Sequence, residues 1–299
     1  MASAAQWIEG ARPRTLPAAI APVAAGTGLA LMHGGYQGSV TVGRALLALV
    51  LALALQVGVN YANDYSDGVR GTDDDRVGPF RLTGSGAARP IAVKRAAFAS
   101  FGVGALAGLT LVILAGAWWM ILVGIVCILA AWYYTGGKHP YGYMGLGEVL
   151  VFVFFGLVAV MGTSYLLSGH TGLDDLLVAS GVGLWACAVM LTNNLRDIPS
   201  DRVSGKRTLA VRLGDGATRL LYAAMILVPF LLLIPVVPHA PLVALTFLAL
   251  PLAMAPIRRV IEQRASGREL IPVLAATGKL ELVASLLMLA GFALSSALL

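Results

Sequence analysis

Two stretches of this chain carry carboxylates and amides at spacings that suit a helix face. Asn60-Tyr61-Ala62-Asn63-Asp64-Tyr65-Ser66-Asp67 and Asn193-Asn194-Leu195-Arg196-Asp197-Ile198-Pro199-Ser200-Asp201 each contain Asn-x-x-x-Asp followed by a further Asp. Residues four apart share a helix face. Asn193, Asp197 and Asp201 therefore stack along one side of a helix that runs that far, and Asn60, Asp64 and Asp67 follow with a four-then-three spacing. Pro199 predicts a bent or loosened last turn. Facing each other, the two sets would form a strongly negative site that is tolerable only with cations in it.

The chemistry such a site offers is binding of a hard cation and a phosphorylated ligand. None of His33, His139, His170 or His239 lies in either motif, so the donors are oxygens, which disfavours zinc. Mg2+ prefers oxygen, keeps several waters, and is commonly shared between a few carboxylates and substrate phosphates. The expected metal ligands are Asp64, Asp67, Asp197 and Asp201, with Asn60, Asn63 and Asn193 beside them. Arg76, Arg81, Lys206 and Arg207 follow the motifs in sequence and are expected on other phosphate oxygens. A single acid pair at a span end is more often a helix cap or a solvated charge. Two matched sets are harder to explain that way. Asp73-Asp74-Asp75 reads as a charge run in a solvated loop.

The elements that must hold these motifs are membrane helices. Of the 299 residues 58% are hydrophobic and only 12% charged, about half the usual share for a soluble domain. The mean hydropathy is +0.83. The expected fold is all-α: a polytopic bundle of about nine transmembrane helices around a central cavity open to the cytoplasmic side. The predicted spans are 16–33, 43–63, 96–115, 118–135, 146–168, 176–195, 220–237, 240–256 and 277–298. On that count every Lys and Arg except Arg44 falls on one side. The positive-inside rule then makes this a multi-pass protein of the cell (inner or plasma) membrane, N-terminus cytoplasmic and C-terminus outside. The net charge of +6 thus marks membrane sidedness and gives no reason to expect a nucleic-acid partner. The first twenty residues lack the features of a signal peptide. Cys127 and Cys187 lie in apolar runs and read as packing residues.

The two motifs start 133 positions apart, which suggests a diverged internal repeat within one domain, 1–299, with halves of about 1–135 and 146–299. An apolar chamber beneath a diphosphate site suits a substrate with a polar head and a long hydrocarbon tail.

With these residues in hand, the chain resembles the UbiA superfamily of intramembrane prenyltransferases, from about Trp7 to the last span. The two Asp-rich motifs carry that resemblance. Softer blocks are similar to the superfamily members that prenylate 1,4-dihydroxy-2-naphthoate: Ala11-Arg12-Pro13-Arg14-Thr15-Leu16-Pro17, Arg76-Val77-Gly78-Pro79 with Gly84-Ser85-Gly86, Gly145-Leu146-Gly147-Glu148 leading to Phe154-Phe155-Gly156, and Lys206 to Gly214. Tyr134-Thr135-Gly136-Gly137-Lys138 fits the family pattern Y-x-x-x-K. The resemblance implies a Mg2+-dependent transferase that moves a polyprenyl group from a prenyl diphosphate to an aromatic acceptor. It implies Lys138 and Tyr134 at the diphosphate. Arg12 or Arg14 are candidates for holding the acceptor carboxylate. Glu148 reads either as an acceptor-site residue or as an acid complementing a helix N-terminus.

Rival readings are fewer. Other acceptors within the superfamily, such as 4-hydroxybenzoate, haem, chlorophyllide or phosphoribose compounds, keep the same mechanism. An ion-coupled transporter would place its acids nearer the midplane and its repeats in inverted order.

Overall fold

The computed structural model describes residues 2–71, 80–137 and 140–298. Lys138, Arg76 and the Arg76-Val77-Gly78-Pro79 block lie outside the described residues. Among these residues the fold is entirely helical, with no strand. The helices are α1 (Ala4–Gly10), α2 (Pro17–Met32), α3 (Ser39–Arg70), α4 (Pro90–Ala115), α5 (Met120–Tyr133), α6 (Gly147–Ser168), α7 (Leu173–Val203), α8 (Leu209–Val236), α9 (Pro241–Ile261) and α10 (Gly267–Leu298).

Seven of them, α3, α4 and α6 to α10, are long and apolar enough to cross a bilayer. The expected span 16–33 is part of a pair, Ala4–Thr15 and Pro17–Met32, bent by 50°. The break sits where Arg12 adopts a left-handed φ of 55° and Pro13 and Pro17 remove backbone donors. The expected span 118–135 is shorter than predicted. Trp118 and Trp119 lie in the turn before α5, which has only 14 residues. Among the described residues there are thus seven spans, or eight when the bent pair is counted as one, and α5 is a shorter apolar helix.

Helix ends also move outward from the hydropathy limits. The span expected to end at 63 continues to Arg70 and closes on Gly71, whose φ of 70° suits a helix C-terminus. The span expected to end at 195 runs through Pro199 to Val203. Pro199 lies within the last two turns, where the loss of one backbone hydrogen bond is tolerated. The loosened turn expected there is a continuous helix, so Asn193, Asp197 and Asp201 share one helical run.

Packing pairs α3 with α4, α7 with α8 and α2 with α10. The main core lies among α7, α8 and α10 around Trp185, Tyr222, Met288 and Phe292. The Trp185 indole N–H donates to the Ile226 carbonyl at 3.1 Å, so even this deep polar atom is satisfied. Leu106, Leu122, Leu220, Leu231 and Leu248 are exposed on the outside. That apolar exterior suits lipid and would be a liability in water. Between residues 152 and 161, α6 widens into a π-helical stretch. There Gly156 meets Gly183 of α7 backbone to backbone: a Cβ added at Gly156 would lie 2.7 Å from the Gly183 Cα.

Candidate active site

A cavity of about 1360 Å³ runs through the bundle. It is larger than the roughly 300–1,000 Å³ usual for small-ligand pockets. Along α3 its lining descends from Asp67 through Asn63, Asn60 and Gln56 to Leu55, Leu51 and Ala48. From Asp67 to Ala48 is about 28 Å at the rise of an α-helix. One end is therefore polar and charged, and the rest is an apolar chamber of near-membrane depth.

The structure brings parts of both motifs onto this cavity. Asn60, Asn63 and Asp67 line it from α3, and Asn193 and Asp201 from α7. Arg12, Arg14, Arg81, Tyr134 and Lys206 also line it. Asp64, Asp197, Glu148 and Arg207 are not in the lining. Arg207 is exposed, and its backbone N–H donates to the Tyr143 carbonyl.

Each side chain has a local cause for its place. Asp64 is fully buried and accepts backbone N–H bonds from Leu82 at 2.6 Å and Thr83 at 2.8 Å. It thereby ties the segment carrying Arg81 to α3. Asp67 accepts from the Tyr143 hydroxyl at 2.5 Å, and its other oxygen lies 3.3 Å from the Arg81 guanidinium. Asn60 donates to the Ala11 carbonyl and the Thr15 hydroxyl. This secures the turn that carries Arg12 and Arg14 into the cavity. Asn63 accepts from the Thr135 hydroxyl at 2.7 Å. Arg70 donates to the carbonyls of Thr135 and Gly137. Together they anchor the loop after Tyr134 to α3. On α7, Asp197 takes a bidentate ion pair from its neighbour Arg196 at 2.7 and 2.8 Å.

Several residues of the site were not singled out from sequence. Arg196 lines the cavity and neutralises Asp197. Tyr143 touches Asp67, and the Lys206 ammonium sits 4.4 Å from its ring centroid. Tyr141 donates to the Ala130 carbonyl at 2.6 Å, and burial pushes its hydroxyl up to about 12. It stays a neutral donor at ordinary pH. Asn194 lines the cavity and donates to Glu148 at 2.7 Å. Trp118, Trp119 and Tyr133 near the ends of α5 are exposed. Trp132 packs on Phe98 with ring centroids 4.8 Å apart.

The arrangement is a charged head site above an oily chamber, which is what a diphosphate on a long hydrocarbon requires. A family model described as the UbiA prenyltransferase family matches residues 19–269. The chain belongs to the UbiA prenyltransferase family.

Within that family, a 1,4-dihydroxy-2-naphthoate octaprenyltransferase of Mycobacterium tuberculosis (strain ATCC 25618 / H37Rv) is 53% identical over 284 residues, covering 95% of each chain. The apo structure of a UbiA homolog from Aeropyrum pernix K1 has a TM-score of 0.68 at 17% identity, covering 91% of this chain and 96% of its own. A UbiA homolog from Archaeoglobus fulgidus bound to GPP and Mg2+ has a TM-score of 0.63 at 13% identity, covering 96% of this chain and 99% of that one. At such identities the two structures establish the shared fold. The chain is a multi-pass membrane protein of this family, and the family includes a member solved with Mg2+.

The residues present fit that ion. Asp67 and Asp201 offer carboxylate oxygens at the polar end, and no His or Cys competes among the lining residues there. Among the described residues no three His, Cys, Asp or Glu side chains come together as a metal cage. An ion held there would draw further ligands from water and phosphate, which suits Mg2+.

Proposed function

We propose that this chain transfers a polyprenyl group from a prenyl diphosphate to 1,4-dihydroxy-2-naphthoate, releasing diphosphate and CO2 and giving a demethylmenaquinol. The observation that carries prenyl transfer is the cavity itself, with Asp67, Asp201, Arg81, Arg196 and Lys206 at one end and an apolar chamber beyond. The relative from Mycobacterium tuberculosis supports the acceptor, through its name and its identity along nearly the whole chain.

In this reading Asp67 and Asp201 hold Mg2+, with Asp64 and Asp197 behind them fixing the backbone and the Arg196 guanidinium. Bound Mg2+ neutralises charge on the diphosphate oxygens. Arg81, Arg196 and Lys206 bind the remaining oxygens, a role the sequence pattern also assigns to Lys138 and Arg76. The C1–O bond of the prenyl diphosphate breaks and its electron pair leaves with diphosphate. The ring carbon bearing the acceptor's carboxylate attacks C1, and the bond to that carboxylate then breaks to release CO2. The electrons balance within the two substrates, so no outside oxidant is needed. Arg12 and Arg14, held over the cavity by Asn60, bind the acceptor's carboxylate before it leaves. The apolar walls exclude water, which would otherwise trap the cationic carbon.

With α5 counted as a ninth, short crossing, the Lys and Arg fall on one side, which supports a cytoplasmic mouth, a cytoplasmic N-terminus and an outer C-terminus. The test is direct. Purified protein in detergent receives 1,4-dihydroxy-2-naphthoate, a long prenyl diphosphate and Mg2+, and the prenylated naphthoquinol is sought by mass. EDTA should abolish it. Product from 4-hydroxybenzoate but not from naphthoate would keep the reaction and replace the acceptor.

A further inference from the structure

Glu148 is 3% exposed and lies in the first turn of α6. An acid that only complements a helix N-terminus has no need to be buried, since that effect is available at the surface. Here the carboxylate is turned inward. Its Oε1 accepts from the Asn194 side-chain nitrogen at 2.7 Å, while Oε2 has no hydrogen-bond partner among the described residues. The Glu148 backbone is fixed in turn by the Cys187 thiol, which donates to its carbonyl at 3.0 Å.

The Asn194 NH2 faces Glu148, whose ionised carboxylate can only accept. The Asn194 carbonyl oxygen is directed away from Glu148 and takes no hydrogen bond from the described residues. Asn194 lines the cavity. It lies three residues before Asp197, about 4.5 Å along the helix axis. The acceptor oxygen is therefore one turn below the charged end.

The wall next to Glu148 is tightly packed. Gly147 lines the cavity, and a Cβ there would lie 3.1 Å from the Met190 sulfur and 3.8 Å from the Tyr134 hydroxyl. Any larger residue at this position would press on the Met190 thioether beside the Tyr134 hydroxyl.

We propose that Glu148 is a positioning residue that locks the Asn194 amide, so that its carbonyl oxygen accepts a hydrogen bond from a ring hydroxyl of the aromatic acceptor. This rests on the aromatic-acceptor reading above. A ring hydroxyl that donates here leaves more electron density on the ring and fixes which carbon faces the prenyl group. Discrimination follows, because an acceptor lacking the O–H would leave a buried carbonyl unpaired. Tyr134 is placed to contact the same ring.

The experiment compares a hydroxylated acceptor with its methyl ether on full-length protein in detergent. Binding of 1,4-dihydroxy-2-naphthoate and 1,4-dimethoxy-2-naphthoate is titrated by calorimetry, and KM is measured for the hydroxylated acceptor and for the prenyl diphosphate. Glu148→Leu should raise the acceptor KM by about ten- to a hundredfold, the range for a charge-assisted hydrogen bond. The prenyl diphosphate KM should stay put, and the preference for the hydroxylated ligand should collapse. Glu148→Gln, which keeps an acceptor oxygen, should recover much of it. Adding Glu148→Leu to Asn194→Leu should do no further harm. An unchanged diol-to-ether preference in folded Glu148→Leu, or an equal rise in both KM values, would overturn the proposal. If Glu148→Leu does not fold, the diol-to-ether ratio of Asn194→Leu decides in its place. Wild-type protein that rejects naphthoate but prenylates 4-hydroxybenzoate would remove the acceptor assigned above. The same comparison made with 4-hydroxybenzoate and its methyl ether then decides on Glu148.

Discussion

Tyr143 donates a 2.5 Å hydrogen bond to Asp67 and presents its ring to the Lys206 ammonium, 4.4 Å from the centroid. One side chain thus joins the first acidic motif to the basic stretch after the second. The Arg207 backbone N–H to the Tyr143 carbonyl, 3.1 Å long, closes the same link through the main chain. The turn around Tyr143 therefore ties together the two motifs at the charged end of the cavity.

Tyr143→Phe should lower kcat/KM about tenfold or more, because Asp67 loses a charge-assisted hydrogen bond. Tyr143→Ala should be worse, since Lys206 also loses its aromatic platform, an interaction of about 0.5–2 kcal/mol. Steady-state kinetics with varied prenyl diphosphate checks both. A Tyr143→Phe enzyme with wild-type kinetics would show that the contact has no bearing on the site.

Asp64 satisfies two buried backbone amides, so its loss should be felt in stability. Asp64→Ala should lower the melting temperature, as each orphaned amide costs about 1–3 kcal/mol. Asp64→Asn keeps one acceptor oxygen and should melt between the two. Thermal unfolding in detergent without Mg2+ is the measurement. A role confined to metal binding predicts no change under those conditions.

Glu281 on α10 is fully buried, and neither carboxylate oxygen has a partner among the described residues. Its neighbour one turn on, Ser285, is also buried, and its hydroxyl has no partner among the described residues. Burying an unpaired acid is unfavourable, and a packed apolar residue of similar volume is often more stable. Glu281→Met should therefore raise the melting temperature. A fall would mean that a partner, protein or lipid, satisfies this acid in the membrane.

Gly183→Val should destabilise the bundle. A Cβ at Gly183 would sit 3.0 Å from the Gly156 Cα and 3.1 Å from the Phe152 carbonyl, which are backbone atoms and cannot swing aside. Overpacking of this kind costs about 1–3 kcal/mol. Since α6 also lines the cavity, activity should fall with it. A variant that melts like wild type would show that α6 can shift away from α7.

The helix faces of the site were legible because an i, i+4 spacing needs no tertiary information. Asn193, Asp197 and Asp201 fall on one helical run wherever that helix packs. The helix ends were not legible in the same way. Hydropathy reports where lipid stops, and both motif helices continue past that point on backbone hydrogen bonds, each followed by a glycine of positive φ, Gly71 and Gly205. The shortness of α5 was hidden for the related reason that Trp118, Trp119 and Tyr134 are apolar enough to extend the pattern. Tyr143 and the Glu148–Asn194 contact could not be read from spacing. Each depends on which loop meets which helix, and Tyr143 lies 76 positions from its partner Asp67.

The fourteen residues of α5 reach about 21 Å, against about 30 Å of hydrocarbon. Its neighbours α3 and α4 are 32 and 26 residues long. Lipid beside α5 therefore meets a step in hydrophobic thickness, and the leaflet must thin or tilt to follow it. The step borders the chamber, since Met120, Ile121 and Ile125 of α5 line it. A local dip in the bilayer would bring the head group of a lipid-borne substrate down toward the catalytic level, which makes acyl-chain length of the surrounding membrane a variable of this enzyme.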